Sequence, residues 1–208
     1  MKIQMAKALS LAALFISYCI PGQSIAGLPT DQLRQTTDKV LLILQDPRLK
    51  STDMRDERNK QLRQVIAPMF DFQAMAQRSL GPDWQRRSAE ERREFVQLFT
   101  TLLEQTYAAQ IAAYNGEKVV YGREAQENDF AEVDSQILTT SGDEFSVNYK
   151  LRSSDRTWKV YDVVIENISL VNNYRSQFRR VLAKSSFDEL LRRMRDKQFA
   201  GPQTKANQ

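Results

Sequence analysis

Histidine is absent from this chain of 208 residues, and its one cysteine, Cys19, lies close to the amino terminus. Without these residue types the chain cannot form a Cys-His or Ser-His-Asp nucleophile set, and the usual zinc ligands are missing. The sequence also contains no G-x-G-x-x-G or Walker motif. It therefore offers few groups for covalent, metal-dependent or nucleotide-dependent catalysis, and we expect no cofactor, no metal and no enzymatic activity.

A strong charge imbalance is missing as well. The chain has 30 Lys and Arg residues against 26 Asp and Glu residues, a formal net charge of +4. This near-balance argues against a nucleic-acid partner, because affinity for nucleic acid rests mainly on neutralising phosphates. After residue 26 no apolar segment approaches the roughly 18 residues that a spanning helix needs, so we expect a soluble mature protein.

The first 26 residues have the pattern of a secretory signal peptide. Lys2 and Lys7 provide the positive start, Ala8 to Ile20 is apolar, and Ser24 to Ala26 resembles an A-x-A cleavage site. An apolar stretch of this length is too short to span a bilayer. The pattern therefore predicts export, with cleavage after residue 26.

Cleavage would remove Cys19, so the mature chain can form no internal disulfide. An alternative, a lipoprotein anchored at Cys19, is disfavoured because Tyr18 stands where a small residue is needed. Removing the two lysines of the signal from the 30 basic residues leaves 28 against 26 acidic ones. We expect a periplasmic protein of one domain, residues 27–200, which folds on its core alone, with a disordered tail at 201–208.

Helical periodicity and capping residues predict most of the helices. We expect a first helix that is capped by Thr30 and ends at Asp46-Pro47, and a second helix that carries Leu62, Val65 and Ile66 and ends before Pro68. A short helix at Phe72–Ser79 follows the cap Asp71 and ends before the exit residue Gly81. The last helix, Ser186–Gln198, is capped by Ser186.

The longest predicted helix follows a capping box at Ser88 and Glu91. Apolar and aromatic residues repeat at helical spacing from Phe95 to Tyr114, and Asn115-Gly116 ends the helix. At about 1.5 Å per residue the helix is about 40 Å long. Its aromatic stripe is long enough to contact more than its own sheet, but for each single residue we favour ordinary packing in the core.

From Glu117 onward the period changes to two, which predicts strands at Glu117–Ala125, Phe130–Thr140, Glu144–Ser153 and Thr157–Asn167. In the third strand, Phe145, Val147, Tyr149 and Leu151 alternate with polar residues. Short turn sequences between the last three strands predict an antiparallel meander.

The fourth strand has apolar residues on both sides, so we expect it to be the innermost strand and covered on both faces. It leads directly into an amphipathic helix from Leu170 to Leu182. By strict alternation, Asp162 shares a face with Trp158, Val160 and Val164. We interpret it as a structural acid bonded to backbone or arginine, with a ligand-site role as the alternative.

This strand and helix resemble the signature of the periplasmic phospholipid-binding proteins of the MlaC type, also called the toluene-tolerance family. The strand matches the pattern W-x-V-x-D-V with Trp158, Val160, Asp162 and Val163. The helix matches S-L-V-x-N-Y-R-x-x-F with Ser169, Leu170, Val171, Asn173, Tyr174, Arg175 and Phe178. An upstream block matches with Leu80, Gly81, Trp84, Phe95, Phe99, Leu103 and Tyr107. The resemblance spans roughly Leu28 to Lys197. One departure is that Lys184 to Ser186 stand where members usually carry glycine.

The resemblance implies an α+β fold, with a curved antiparallel four-stranded sheet packed against several helices around an apolar lipid cavity. It also implies a non-enzymatic carrier of diacyl phospholipid. Such a carrier moves lipid between an outer-membrane lipoprotein complex and an inner-membrane ABC-transporter complex, for which it is an auxiliary component, and so maintains outer-membrane lipid asymmetry. We expect a monomer.

The resemblance also suggests candidate site residues, although sequence cannot separate a cavity lining from an ordinary core. The candidates for lipid-tail binding are Phe99, Leu103, Tyr107, Phe145, Val147, Tyr149, Leu151, Trp158, Val160, Val164, Tyr174 and Phe178. The candidates for headgroup binding are Arg175, Lys150 and Arg152, because arginine forks suit phosphate oxygens and lysine adds a further cation. For Arg175 an internal salt bridge is the competing interpretation.

Three alternatives stay open at this point. A curved sheet can form a small-molecule binding cone or an isomerase-like site, here with Asp162 and either Tyr149 or Tyr161. A glycosidase needs two flanking acids, such as Asp162 with Glu166. An adaptor would hold no ligand and bind partners through its helices, including the basic face of the last helix.

Overall fold

The computed structural model describes residues 28–201, so the predicted signal peptide and residues 202–208 of the predicted tail lie outside the described residues. The predicted α+β class is confirmed. The α-helices are α1 (Pro29–Gln45), α2 (Arg55–Ile66), α3 (Phe72–Leu80), α4 (Ala89–Ala112), α5 (Leu170–Leu182) and α6 (Phe187–Arg195). The strands are β1 (Lys118–Glu127), β2 (Phe130–Leu138), β3 (Glu144–Ser154), β4 (Thr157–Ile165) and β5 (Ile168–Ser169).

The strands form an antiparallel meander in the order β1-β2-β3-β4-β5. The β3–β4 hairpin turns through Asp155 and Arg156, which both have positive φ (49° and 64°), as two-residue hairpin turns require. The predicted meander is confirmed. The sequence predicted four strands and the structure has five within residues 28–201. Strand β5 was not predicted because its two residues are too few to show an alternating pattern and directly precede α5.

One face of the sheet is apolar and the other is polar. Tyr149 lies opposite Val133 on one side and opposite Val163 on the other, so three neighbouring strands place apolar side chains together. One residue along, Asp134 lies opposite Asn148 on the polar face. The alternation predicted for β3 is confirmed by this register.

A β-bulge interrupts the alternation of β4. Lys150 lies opposite Asp162 and Leu151 lies opposite Val160, so Tyr161 has no opposite residue in β3. One extra residue moves every later side chain of the strand to the other face. Strict alternation therefore holds in β4 only as far as Val160.

The bulge overturns one prediction. Asp162 and Val164 were expected on the face of Trp158 and Val160, but they lie on the polar face, where Val164 is opposite Asn148. The sequence pattern could not reveal this, because a bulge residue adds no recognisable signal of its own to an apolar run.

The prediction that β4 is the innermost strand is also wrong, because only the short β5 lies beyond it. Other groups nevertheless cover its outer edge. The Gln32 side chain donates to the Trp158 carbonyl (2.7 Å) and accepts from the Trp158 N–H (2.9 Å), while the Asp71 N–H donates to the Val160 carbonyl (2.9 Å). These contacts satisfy backbone groups that an edge strand leaves unpaired.

Most predicted helix caps are confirmed. The side chains of Asp71 and Ser186 accept from backbone N–H groups at the starts of α3 and α6, and Ser88 with Glu91 forms the capping box of α4. The Thr30 cap is wrong. Helix α1 begins at Pro29, and the Thr30 N–H instead donates to the Glu124 carboxylate at 2.8 Å, which ties the helix to β1.

The departure at Lys184 to Ser186 causes no strain. None of these three residues has a positive φ, and Ser186 has an extended conformation with φ of −76° and caps α6. Glycine is required only where φ is positive or space is short. This chain therefore connects α5 to α6 without the glycine expected from the family pattern.

Candidate functional site

The buried apolar residues form two separate clusters. The helical cluster contains Met75, Ala76, Leu80, Trp84, Phe95, Phe99, Leu102, Leu103, Val171, Tyr174, Phe178, Val181, Phe187, Leu190, Leu191 and Met194. The sheet cluster contains Leu33, Met69, Ala131, Val133, Val147, Leu151, Trp158, Val160, Val163 and Leu170. Tyr107 and Phe70 are partly buried and pack against both clusters. The boundary between the clusters is therefore where an apolar guest would contact both layers.

Helix α1 extends an apolar stripe across the sheet. Leu33 belongs to the sheet cluster, and one turn later the Thr37 hydroxyl lies 2.7 Å from the Tyr121 hydroxyl of β1. The next residues on this stripe, Val40, Leu41 and Leu44, are only half-buried. The carboxyl-terminal half of α1 thus presents apolar side chains that no described residue fully covers.

Helix α4 also has an apolar side chain near its carboxyl-terminal end that is not fully covered. Its first half is buried in the helical cluster, but Ile111 near its end is half-buried. The Gln45 side chain of α1 donates to the Tyr114 hydroxyl at 3.1 Å, so the ends of the two helices meet. We call the half-buried apolar residues near this end of the sheet the inner apolar surface: Val40, Leu41, Leu44, Tyr107, Ile111, Tyr121, Ile137, Phe145 and Tyr149.

The hydroxyl of Tyr107 is an unusual buried polar group. It has no hydrogen-bond partner among residues 28–201. A Cβ placed on Gly201 would lie 3.0 Å from this hydroxyl and 2.9 Å from the Thr106 methyl, so the chain passes close over Tyr107 at a residue without a side chain. A buried hydroxyl without a partner is costly.

Burial makes the tyrosine hydroxyls of this region weaker acids than usual. Burial raises the pKa of Tyr107 and the pKa of Tyr149 far above the ordinary value. Burial also raises the pKa of Tyr121, although its hydrogen bond with Thr37 opposes the shift. The inner apolar surface therefore offers uncharged hydroxyls on an apolar background, which suits an amphiphile more than an ion.

The twelve candidate tail residues fall into four groups. Phe99, Leu103, Tyr174 and Phe178 lie in the helical cluster, Val147, Leu151, Trp158 and Val160 lie in the sheet cluster, Tyr107, Phe145 and Tyr149 belong to the inner apolar surface, and Val164 lies on the polar face. Phe99, Tyr174 and Phe178 have no accessible surface and contact one another with ring centroids 5.6–6.1 Å apart. Their role in this structure is packing.

Six residues of the inner apolar surface are not among the candidates from the sequence: Val40, Leu41, Leu44, Ile111, Tyr121 and Ile137. One signal was available in α1, where five consecutive apolar residues from Val40 to Leu44 cover all sides of the helix. An ordinary surface helix has one apolar stripe, so such a run indicates contacts on more than one side. Leu42 in this run is 70% exposed.

The three headgroup candidates are not together. Lys150 and Arg152 lie on the polar face of the sheet, where Lys150 pairs with Glu132 (3.2 Å) and Arg152 pairs with Asp71 (2.9 Å). Arg175 is exposed on α5, and its Nε would be 3.2 Å from a Cβ on Gly81. The structure does not bring the three cations to one phosphate site, and Arg175 alone makes no ion pair within residues 28–201.

Asp162 has a structural role. It is 7% exposed, and its carboxylate accepts hydrogen bonds from the Ser169 hydroxyl (2.6 Å) and the Val171 N–H (3.1 Å) at the start of α5. The positive end of the helix dipole favours a carboxylate here. Tyr149 lies on the opposite face of the sheet, so the proposed Tyr149 and Asp162 pair does not form.

The remaining acid and base candidates are also engaged elsewhere. Glu166 accepts from the N–H and the hydroxyl of Ser146 at 2.7 and 3.0 Å. The Tyr161 ring lies between the Phe130 ring and the guanidinium of Arg78, whose carbon is 4.3 Å from the ring centroid. In residues 28–201 no group of three or more Cys, Asp or Glu side chains is placed to hold a metal ion.

Replacing Asp162 with alanine is expected to lower the free energy of unfolding by about 1–3 kcal/mol, because a buried N–H and a hydroxyl lose their acceptor. Urea denaturation measures this change. Asp162→Asn retains one acceptor oxygen and should lose less, whereas Glu127→Ala, at an exposed position of β1, should change stability by less than about 0.5 kcal/mol. Equal stability of Asp162→Ala and the wild type would contradict the structural role.

Two open clefts of about 480 Å³ each lie away from the inner apolar surface. One is on the polar face of the sheet, lined by Asp134, Gln136 and Asn148 among others, and the second lies beside the β2–β3 turn near Gly142. Ligand sites for apolar molecules are concave and mostly apolar, so neither cleft suits a lipid tail. Within the described range, no helix is both long and apolar enough to cross a bilayer.

Comparison with known proteins identifies the family. The model of the MlaC protein family matches residues 34–196, which include both apolar clusters almost entirely. The chain belongs to the MlaC family. Among its relatives, the intermembrane phospholipid transport system binding protein MlaC of Haemophilus influenzae is 26% identical over 157 residues, covering 73% of this chain and 70% of the relative. The toluene tolerance protein ttg2D of Pseudomonas putida is 23% identical over 165 residues, covering 78% and 77%.

A solved structure supports the same family. The phospholipid-binding protein of Ralstonia solanacearum, determined in complex with a phospholipid, matches with a TM-score of 0.70 and 25% identity. The match covers 80% of this chain and 94% of that protein. The α+β fold of this MlaC-family chain is thus similar to that of a protein determined with a bound phospholipid.

Proposed function

We propose that this MlaC-family protein is a periplasmic carrier that binds diacyl phospholipid and shuttles it between an inner-membrane ABC-transporter complex and an outer-membrane lipoprotein complex. The observation that carries the proposal is the division of the interior into two apolar clusters, with half-buried Tyr107 packed against both and further half-buried apolar residues at this end of the sheet. A protein of this size normally has one contiguous core. Two of the proteins named above add support, since the Haemophilus influenzae relative is named for phospholipid transport and the Ralstonia solanacearum protein was determined with a bound phospholipid.

In the proposed complex, the acyl tails contact the inner apolar surface. Tyr107, Phe145 and Tyr149 are the three candidates from the sequence that belong to it, and Ile111 and Ile137 join them. Val147, Leu151, Trp158 and Val160 are buried on the same face of the sheet, beside these side chains. The phosphate lies near solvent, with Arg175 as its candidate partner.

The energetics of such a carrier require balance. Burying a methylene group contributes about 0.8 kcal/mol, so two tails with about 30 such groups gain on the order of 24 kcal/mol relative to water. Leaving a bilayer costs a similar amount, because the tails are equally dry there. The net free energy of exchange then lies near zero, and lipid can move in either direction when a partner complex binds or releases it.

The protein is proposed to act without chemistry on the lipid. The acids that an enzyme would need are hydrogen-bonded to backbone and hydroxyl groups, and burial raises the pKa of Tyr149 further above its ordinary value, which makes it a poorer acid. Export to the periplasm follows from the signal peptide predicted from the sequence.

A transfer assay tests the carrier function. Purified protein is mixed with donor vesicles that contain a fluorescent phospholipid and with unlabelled acceptor vesicles. We expect transfer in proportion to protein concentration, with the lipid recovered unchanged by mass spectrometry, and equal transfer by Asp162→Asn. No acceleration would contradict the carrier, and hydrolysed or isomerised lipid that depends on Asp162 would support an enzyme instead.

A further inference from the structure

Helix α5 exposes a face that carries cations and no acid. Arg175, Arg179 and Arg180 are exposed, and the residues between them on the same side of the helix, Asn172 and Ser176, are polar and uncharged. The segment Leu170–Leu182 contains no Asp or Glu. We call these five residues the α5 arginine face. On an ideal helix they fall within an arc of about 140°.

The arginines of the last helix, α6, are paired with acids. In α6, Arg192 and Arg193 both bind Glu189, at 2.8 and 2.6 Å, and these hydrogen bonds hold the pKa of Glu189 at about 2. Arg195 of α6 pairs with Glu94 of α4. The basic face of the last helix, considered above as a docking surface, is therefore a network of ion pairs.

The α5 arginine face has no such partners. None of the ion pairs within residues 28–201 includes Arg175, Arg179 or Arg180. Like charges one turn apart on a helix destabilise it slightly. A row of arginines without acids therefore gains from a negatively charged surface outside the protein.

We propose that the α5 arginine face binds the phosphate groups of an anionic bilayer surface, holding the carrier at a membrane while lipid is exchanged. This inference rests on the proposed carrier function for its purpose, but the surface itself is defined by charge alone. Arginine forks bind phosphate oxygens in pairs, and asparagine and serine add neutral donors.

A bilayer fits this face better than an acidic protein does. Stable protein interfaces have apolar or aromatic anchors at their centre, and α5 exposes none, since its large apolar residues are buried. A bilayer surface needs no matching shape. Each basic residue close to an anionic membrane contributes modestly and the contribution is screened by salt, which suits a carrier that must also leave.

Vesicle co-flotation at low salt tests the proposal, with phosphatidylcholine vesicles that either contain or lack phosphatidylglycerol. The wild type should float with the phosphatidylglycerol vesicles only and dissociate when salt is added. The variant Arg179→Gln/Arg180→Gln should bind them roughly 30-fold more weakly. This variant retains Arg175, the candidate headgroup ligand, so a change in binding does not come from a changed lipid site.

The matched control, Lys118→Gln/Arg123→Gln, removes the same charge from exposed positions of β1 and should bind like the wild type. Equal weakening in both variants would show that net charge is responsible and would overturn the proposal. Absence of wild-type binding to phosphatidylglycerol vesicles would overturn it too, and retention by immobilised polyglutamate through the same arginines would then indicate an acidic protein partner.

Native mass spectrometry of the same samples separates this inference from the carrier function. If the wild type binds vesicles but carries no phospholipid, the carrier function fails while the membrane surface stands. If the α5 variant carries phospholipid but no longer binds vesicles, both proposals are supported.

Discussion

Replacing Phe178 with alanine is expected to lower the free energy of unfolding by about 3–5 kcal/mol. The side chain has no accessible surface, and its ring contacts Phe95, Phe99 and Phe199 with centroids 5.5, 6.1 and 5.0 Å away. Removing it leaves a cavity in the helical cluster that rigid aromatic neighbours cannot fill. Urea denaturation monitored by circular dichroism measures the loss.

Phe130→Ala is the control for this substitution. Phe130 is 45% exposed on the sheet and contacts one ring, that of Tyr161, so its loss should cost less than about 1.5 kcal/mol. A small effect of Phe178→Ala, together with a large loss of bound phospholipid, would contradict the assignment of Phe178 to packing. It would return that residue to the tail-binding set predicted from the sequence.

Replacing Ile137 with tryptophan is expected to remove most bound phospholipid while changing the free energy of unfolding by less than about 1 kcal/mol. Ile137 is half-buried on the apolar face of β2, opposite Phe145, and belongs to the inner apolar surface. A larger ring there occupies volume that we assign to an acyl tail. Lipid content is measured by native mass spectrometry and stability by urea denaturation.

Val133→Trp is the matched control. Val133 lies on the same strand and face, four residues earlier, but it is fully buried in the sheet cluster. Overpacking a filled core costs about 1–3 kcal/mol or more, so this variant should be clearly destabilised. If Ile137→Trp is destabilised as strongly and keeps its phospholipid, the space beside Ile137 is ordinary core.

Local signals explain why much of the fold was predictable. The caps at Asp71, Ser88 and Ser186 need only a few neighbouring residues, and the turn at Asp155 and Arg156 fixes the β3–β4 hairpin. Thr30 was misjudged because Glu124, which accepts its N–H, is 94 residues away along the chain. Interactions between distant segments leave no trace in local spacing.

The candidate site was less predictable for a related reason. Apolar periodicity identifies the inward face of a helix or strand, but not whether a side chain meets protein or an open space. Phe99 and Tyr107 both belong to the helical repeat of apolar residues in α4. Phe99 is fully buried among other aromatic rings, whereas Tyr107 is only partly buried and packs against both clusters. The bulge at Tyr161 likewise changed the faces of Asp162 and Val164.

The difference in charge between helices α5 and α6 is visible in the sequence. Helix α5 contains three arginines without an acid, whereas α6 has Glu189 spaced three and four residues before Arg192 and Arg193. Spacings of three and four place side chains side by side on a helix, so the pairing in α6 was foreseeable. The unpaired arginines of α5 were the stronger indication of an external partner.

The central claim is that the inner apolar surface holds the acyl tails of a phospholipid. Native mass spectrometry of protein purified from the periplasm of producing cells without detergent tests it most directly. The account predicts a main species with the mass of the protein plus a diacyl phospholipid, which disappears in Ile137→Trp. A main species with the mass of the protein alone would contradict it.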